Sequence, residues 1–318
     1  MSDLPKRVQI NEEGPREGFQ IEKGPIATAR KIELVDALSE TGLKQIQVCS
    51  FVNPKRVPGW ADANEVAQGF KRKAGVRYTP LWLNGRGFEQ AMATKRFDVN
   101  GTVWLTASEK FLLQNQERTL DENLTAQRGV IDLYKRYGVP VTSGGVMAAF
   151  GCNFQGEVPL KTVLDMIQQI TDLAAEHDLP IKTMTLADTM AWATPEDIKR
   201  RVGAVRERFP QYRIGLHLHD TRGLGIANSY AGLEMGVDYF DAAVAGLGGC
   251  PFAAHKGAAG NVCTEDLVFM CQEMGIETGV DHDKLIAAAE LAEDIVGHPL
   301  PGSVKVGGNL AAKRHAAH

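Results

Sequence analysis

Short apolar runs alternate with longer amphipathic ones along most of this chain. The strand-like runs are "RVQI" (7–10), "QIQVCS" (45–50), "RYTPLWL" (77–83), "GTVWLT" (101–106), "PVTSGGVMAAF" (140–150), "KTMTLAD" (182–188), "RIGLHLHD" (213–220) and "YFDAAVAG" (239–246). Between them apolar residues recur at helical spacing, as Ile32, Leu34, Val35 and Leu38 do in "IATARKIELVDALSETG". In "TPEDIKRRV", Thr194 stands at a cap position, Pro195 at the first helical position and two acids in the first turn, which predicts a helix start. Eight strands alternating with eight helices predict a parallel sheet. Over 318 residues that count suits a closed α/β (β/α)8 TIM barrel better than an open doubly wound sheet. No GxGxxG follows the first strand, which removes the main argument for a dinucleotide-binding fold. The pattern changes near residue 280. We expect a barrel catalytic domain over 1–280 and a short C-terminal helical segment with a loose tail over 281–318.

Composition narrows the class of function. With 44% hydrophobic and 23% charged residues and a formal net charge of −4, the chain reads as an ordinary globular protein. That mild acidity gives no support for a nucleic-acid or anionic-membrane partner. No window approaches the ~18 apolar residues of a membrane span, and "MSDLPKRVQINEEG" lacks the apolar core of a signal peptide. Five cysteines (49, 152, 250, 263 and 271) form no CxxC pair. A reduced, cytoplasmic setting is expected, with disulfides and structural zinc disfavoured.

In a (β/α)8 barrel the chemistry lies at the C-terminal ends of the strands. Here those ends carry "EEGPREGFQ", "SFVNPKR", "WLNGRG", "TASEK", "AFGCNFQGE", "ADTM", "HLHDTRG" and "GLGGCPF". His217 and His219 lie two apart in a strand and so share a face. Both a pair of metal ligands and a pair of hydrogen-bonded core histidines fit that spacing. A cation would need oxygen donors as well; Glu17 and Asn261 are candidates, and such a set suits Mg2+ or Mn2+, with Zn2+ or Co2+ also compatible. Glycines 246, 248 and 249 lead into Cys250, either a reactive thiol on a mobile loop or a buried filler. Arg16 suits an anionic or enolate oxygen, or else a structural ion pair with Glu12, Glu13 or Glu22. Gln20, Gln47, Asn84, Ser108 and Asp188 are weaker candidates for substrate contact, Asp188 also fitting a capping role. Thr264 reads as the cap of the following helix. His255, His282, His298, His315 and His318 lack strand-end placement and read as surface residues.

Taken in order, "GPREGFQIEKG", "SFVNPKRVPGWADANEV", "LHLHDTRGLGIANSYAGLEMGV", "VAGLGGCPFA" and "GNVCTEDLVFM" resemble the 3-hydroxy-3-methylglutaryl-CoA lyase family, over about residues 7–280. The resemblance implies a metal-dependent retro-Claisen cleavage of a 3-hydroxy-3-carboxyalkyl acyl-CoA to acetyl-CoA and a keto acid. It implies metal ligands at His217, His219, Asn261 and Glu17, enolate stabilisation by Arg16, proton transfer through His217 and an acid at Cys250. Barrels of this kind often dimerise, so a homo-oligomer is expected. The chain departs from the family at four places. Glu17 stands for an aspartate, Gln47 for a catalytic glutamate, "DTMAW" brings in Met190 and Trp192, and the loop before Asn261 is two residues longer. Those changes imply a substrate related to the methylglutaryl thioester rather than certainly that one. Two alternatives accompany this reading: a Claisen-condensing synthase, disfavoured by "GLGGCP", and a catalytically silent metal-binding barrel.

Overall fold

The computed structural model describes residues 4–22, 24–248, 260–310 and 314. The chain divides into two compact units. One holds residues 6–98 together with most of the chain after 240, and the other holds residues 99–240.

The first unit begins with β1 (Gln9–Glu12), α1 (Gly14–Ile21), α2 (Thr28–Ser39), β2 (Gln45–Phe51), α3 (Ala63–Gly69), β3 (Arg77–Trp82) and α4 (Gly85–Thr94). β2 runs parallel to both neighbours, with Glu12 opposite Ile46 and Ile46 opposite Tyr78. The register with β3 slips between Gln47 and Cys49. Such irregularities re-aim side chains at the ends of strands.

The second unit carries β4 (Gly101–Thr106), α5 (Glu109–Gln116), α6 (Leu120–Arg136), β5 (Val141–Met147), α7 (Leu160–Glu176), β6 (Thr183–Asp188), α8 (Pro195–Arg208), β7 (Arg213–Leu218) and α9 (Gly225–Glu234). Its four strands are parallel in the order β4-β5-β6-β7, and Ala187 and Asp188 lie opposite His217 and Leu218. α8 starts as expected: Thr194 accepts from the Asp197 amide, Asp197 reaches back to Thr194, and Pro195 sits in the first turn. This reciprocal box satisfies two amides that the helix itself cannot.

β8 (Tyr239–Ala242) begins in the second unit and ends in the first. The first unit then continues through a one-turn helix at Val244–Gly246, α10 (Thr264–Glu273), α11 (His282–Val296) and α12 (Val304–Gly307). Leu285, Ala288, Ala289 and Ala292 form the buried stripe of α11, which packs on α2. On α2, Leu34, Val35 and Leu38 are buried as the spacing predicts, while Ile32 is half-buried and Lys31 is buried instead. Lys31 reaches the Gly59 carbonyl and Asp62, each at 2.6 Å, and lies over the Trp60 ring, so its charge is matched.

Four sequence-based expectations need correction. β1 lies two residues later than "RVQI" suggests, and "GPREGFQI", read as the end of a strand, is a helix. Pro15 lies in its first turn, where a missing amide costs nothing. Thr264 does not cap α10; Cys263 occupies that position without a side-chain bond. His282 is buried rather than exposed, with Nε2 at 3.1 Å from the Glu265 carbonyl and Phe269 beside the ring.

Candidate active site

In the first unit the site is built on the turn from β1 into α1. Glu13 is the residue before the helix, and its carboxylate is not used as a cap. One helical turn on, Arg16 Nη2 donates to Glu13 Oε2, Arg16 Nη1 lies 2.8 Å from Glu17 Oε1, and Arg16 Nε donates to Gln47 Oε1 at the bulged part of β2. Arg16, Glu13 and Glu17 are all buried, and Gln47 is half-buried. Burial opposes the charge on Arg16, but Glu17 and Glu13 outweigh it and push its pKa above the ordinary arginine value. The helix is fixed from behind by Trp60, whose Nε1 donates to the Arg16 carbonyl at 2.9 Å and whose ring meets Phe19 edge-on.

Asn261 is buried and donates from Nδ2 to Glu17 Oε2 and to the Leu247 carbonyl at 3.3 Å, leaving its side-chain oxygen available as a ligand. Gly248 closes on this pair. Its φ is +96°, and a Cβ there would come within 2.6 Å of Glu17 Cβ and 2.8 Å of Asn261 Nδ2. Only glycine fits such an approach. Cys250, the next candidate along this loop, lies outside the described residues.

Beneath the Arg16 cluster lies a second acidic one. Glu12 does not pair with Arg16. Its Oε1 accepts from the amides of Gly14 (2.7 Å) and Val244 (2.8 Å), and its Oε2 from the Thr264 hydroxyl (2.7 Å). Burial raises its pKa to about 8 despite those bonds. Glu265 accepts from the Ala245 amide at 2.9 Å, and burial raises its pKa to about 7. Glu22 pairs with His298 at 2.8 Å. Of the three acids considered for Arg16, only Glu13 binds it.

In the second unit, His217 and His219 stand at the end of β7 with their Nε2 atoms 3.2 Å apart. His219 is buried and His217 half-buried. Two ring nitrogens facing each other at that distance share one proton or one cation. Asp188 accepts from the amides of Trp192 (2.8 Å) and Ala193 (3.1 Å) in a buried turn. Burial lifts its pKa to about 6. It shapes the turn that carries Met190 and Trp192, both tied to Asn153: Met190 sulfur accepts from its amide, and Trp192 Nε1 donates to its side chain at 2.7 Å.

The weaker candidates have local work. Asn84 Oδ1 accepts from Gly87 N at 3.0 Å and caps α4. Ser108 accepts from Phe111 N at 3.2 Å to cap α5, and donates to Gln155 at 3.1 Å. Gln20 is half-buried on α1. The residue that sequence reasoning undervalued is Glu13. Its signal was the three-residue spacing from Arg16, which becomes meaningful only once 14–21 is read as a helix.

Comparisons with known proteins identify the family. The HMGL-like family model matches residues 7–292. The chain is 38% identical over 298 residues to hydroxymethylglutaryl-CoA lyase YngG of Bacillus subtilis, covering 93% of this chain and 96% of that one. It is 39% identical to the mitochondrial hydroxymethylglutaryl-CoA lyase of Rattus norvegicus, covering 91% and 86%. Among solved structures, the HMG-CoA lyase of Bacillus subtilis superposes with a TM-score of 0.86 at 36% identity, covering 96% and 99%. An HMG-CoA lyase of Acinetobacter baumannii in complex with coenzyme A and 3-methylmalate gives 0.85 at 35% identity, covering 97% of each chain. The fold class is therefore the (β/α)8 TIM barrel that the strand–helix alternation predicts.

Proposed function

The chain belongs to the HMGL-like family, and we propose from its site that it cleaves hydroxymethylglutaryl-CoA, or a thioester with the same 3-hydroxy-3-carboxyalkyl pattern, to acetyl-CoA and a keto acid. It is a divalent-metal-dependent carbon–carbon lyase. The observation that carries the substrate reading is the buried Arg16 fork, with its three partners fixed and its helix locked by Trp60.

Glu17, Asn261, His217 and His219 are the residues we assign to the metal, Mg2+ or Mn2+ by their donor chemistry. Such a cation would stabilise negative charge on the substrate's 3-oxygen. Support comes from the Glu17–Asn261 pair in one unit and the facing imidazoles in the other. His217 takes the 3-hydroxyl proton as the C2–C3 bond breaks, and the bonding pair passes to C2 and onto the thioester oxygen. Arg16 binds that oxygen and holds the enolate; a preorganised donor in a dry site typically contributes about 3–4 kcal/mol to such a step. Cys250 returns a proton to C2, giving acetyl-CoA. Gln20 and Gln47 are assigned to the substrate side of Arg16. Asn84, Ser108 and Asp188 are assigned to shaping the walls rather than touching the thioester, because their polar atoms cap local backbone.

The occupant is an acyl-CoA, and no described helix is long and apolar enough to cross a membrane. A cytoplasmic setting and a homodimer complete the reading, checked by fractionation and by sedimentation. The segment 281–318 is assigned as an added brace, since α11 packs on α2.

The test is direct. Metal-loaded protein is incubated with hydroxymethylglutaryl-CoA and branched homologues, and acetyl-CoA is followed by mass spectrometry. Release from at least one thioester is expected, lost on chelation and in His217→Ala. Metal binding without turnover across the panel overturns the reading.

A further inference from the structure

We infer that Glu13 is the positioning residue for Arg16, supplying a carboxylate that lies outside the assigned metal ligands. This rests on the proposed role of Arg16 in holding the thioester oxygen.

The argument is one of charge and direction. A guanidinium offers five N–H groups in a rigid plane. In Arg16 the Nε edge goes to a neutral amide, Gln47, while Nη2 goes to Glu13 and Nη1 to Glu17. All three charged groups are buried, so one cation faces two anions. Glu17 also accepts from Asn261 and lies against Gly248. It belongs to the assigned ligand set, so a bound cation draws on its charge. Gln47 brings orientation and no charge. The remaining counter-ion is Glu13, on Nη2, while Gln47 takes Nε.

The two groups come from different elements. Glu13 is anchored by its own backbone, since its amide donates to the Ala242 carbonyl at 2.8 Å and its carbonyl accepts from the Glu17 amide at 2.9 Å. Gln47 comes from the bulged end of β2. Between them they hold the plane of the fork from two sides, and the third side stays with Glu17. If Glu13 loses its charge, Arg16 must lean on Glu17 and compete with the metal for it. Both the enolate contact and the cation site then suffer together.

A four-protein cycle tests this: wild type, Glu13→Gln, Gln47→Glu and the double variant, each assayed for kcat and KM, for Mn2+ affinity by titration calorimetry, and for thermal unfolding. Glu13→Gln is expected to lower kcat and Mn2+ affinity about 10- to 100-fold each, the range seen when a residue supporting metal ligands is removed, with KM changed much less. Gln47→Glu crowds a third acid onto one cation and also lowers kcat. The double variant restores one carboxylate and one amide on the same fork, and is expected to recover most of the loss at both readouts. That recovery is the signature a merely structural residue would not give. A Glu13→Gln enzyme with wild-type kcat and Mn2+ affinity overturns the inference, as does a double variant whose losses simply add. A wild type that binds Mn2+ but cleaves no thioester overturns the activity reading alone, and the affinity cycle still judges Glu13.

Discussion

Six residues, Glu12 to Glu17, hold three buried acids that are satisfied in two different ways. Glu13 and Glu17 meet a guanidinium. Glu12, with Glu265 near it, meets only backbone amides and a hydroxyl. Hydrogen bonds to dipoles do not offset the desolvation of Glu12, so it stays protonated to about pH 8. The pair around Arg16 answers burial with a permanent charge instead. The lesson is one of pairing: the acid that meets only dipoles stays neutral at physiological pH, while those beside Arg16 surround a fixed cation.

The severest way to break that contrast is Arg16→Met. It removes the enolate contact we propose for Arg16, for which we expect at least ~10³-fold loss in kcat. It also strands Glu13 and Glu17 in the interior, a cost of about 3–5 kcal/mol by urea unfolding. A variant as stable as wild type would show that those acids are not held by the cation. Next in size is Gly248→Ala, which forces a methyl group against Glu17 and Asn261 at a φ that favours glycine. Mn2+ affinity measured by calorimetry should fall about tenfold, with a smaller change in melting temperature.

Glu12→Gln examines the neutral side. The folded pKa of Glu12, about 8, lies above its ordinary 4.5. The fold therefore favours the protonated form, and its stabilisation is complete below about pH 4.5 and lost as pH rises through 8. Glutamine mimics the protonated acid, so the variant should match wild type near pH 5 and melt several degrees higher at pH 9. Equal melting curves at pH 9 would mean that Glu12 is ionised without cost. The smallest effect is expected from Thr264→Val, which deletes one donor to Glu12 for about 1 kcal/mol. It should be felt more at pH 9, where the carboxylate needs that donor, than at pH 5.

The alternation of strands and helices was legible in the sequence because it depends on local periodicity, and so was the helix start at Thr194. Arg16 stood out as an arginine beside a Gly-Pro corner, suited to an anionic oxygen or to an ion pair, and the pair with Glu13 is present. The state of Glu12 could not be read, since the groups that fix it, Val244 and Thr264, stand 232 and 252 positions away. Glu13 was one of three partners offered for Arg16, and the sequence could not choose among them. A glycine and a proline in succession read as a turn, yet the chain forms a helix there, and the helix sets the spacing to Arg16. His282 was missed because a histidine at the start of a helix says nothing of the Phe269 ring and the carbonyl that enclose it.

The bonds from Glu12 to Val244 and Thr264 also set an order of events during synthesis. The corner bearing Arg16 leaves the ribosome before the hydroxyl that completes its anchor, which follows 252 residues later. At about 5–20 residues per second, that wait is on the order of ten to fifty seconds. Throughout it, an arginine and three acids meant for the interior remain in water, which suits them better than any early collapse would. Charged groups of that kind are easily hydrated while the later segment that binds Glu12 is still being made.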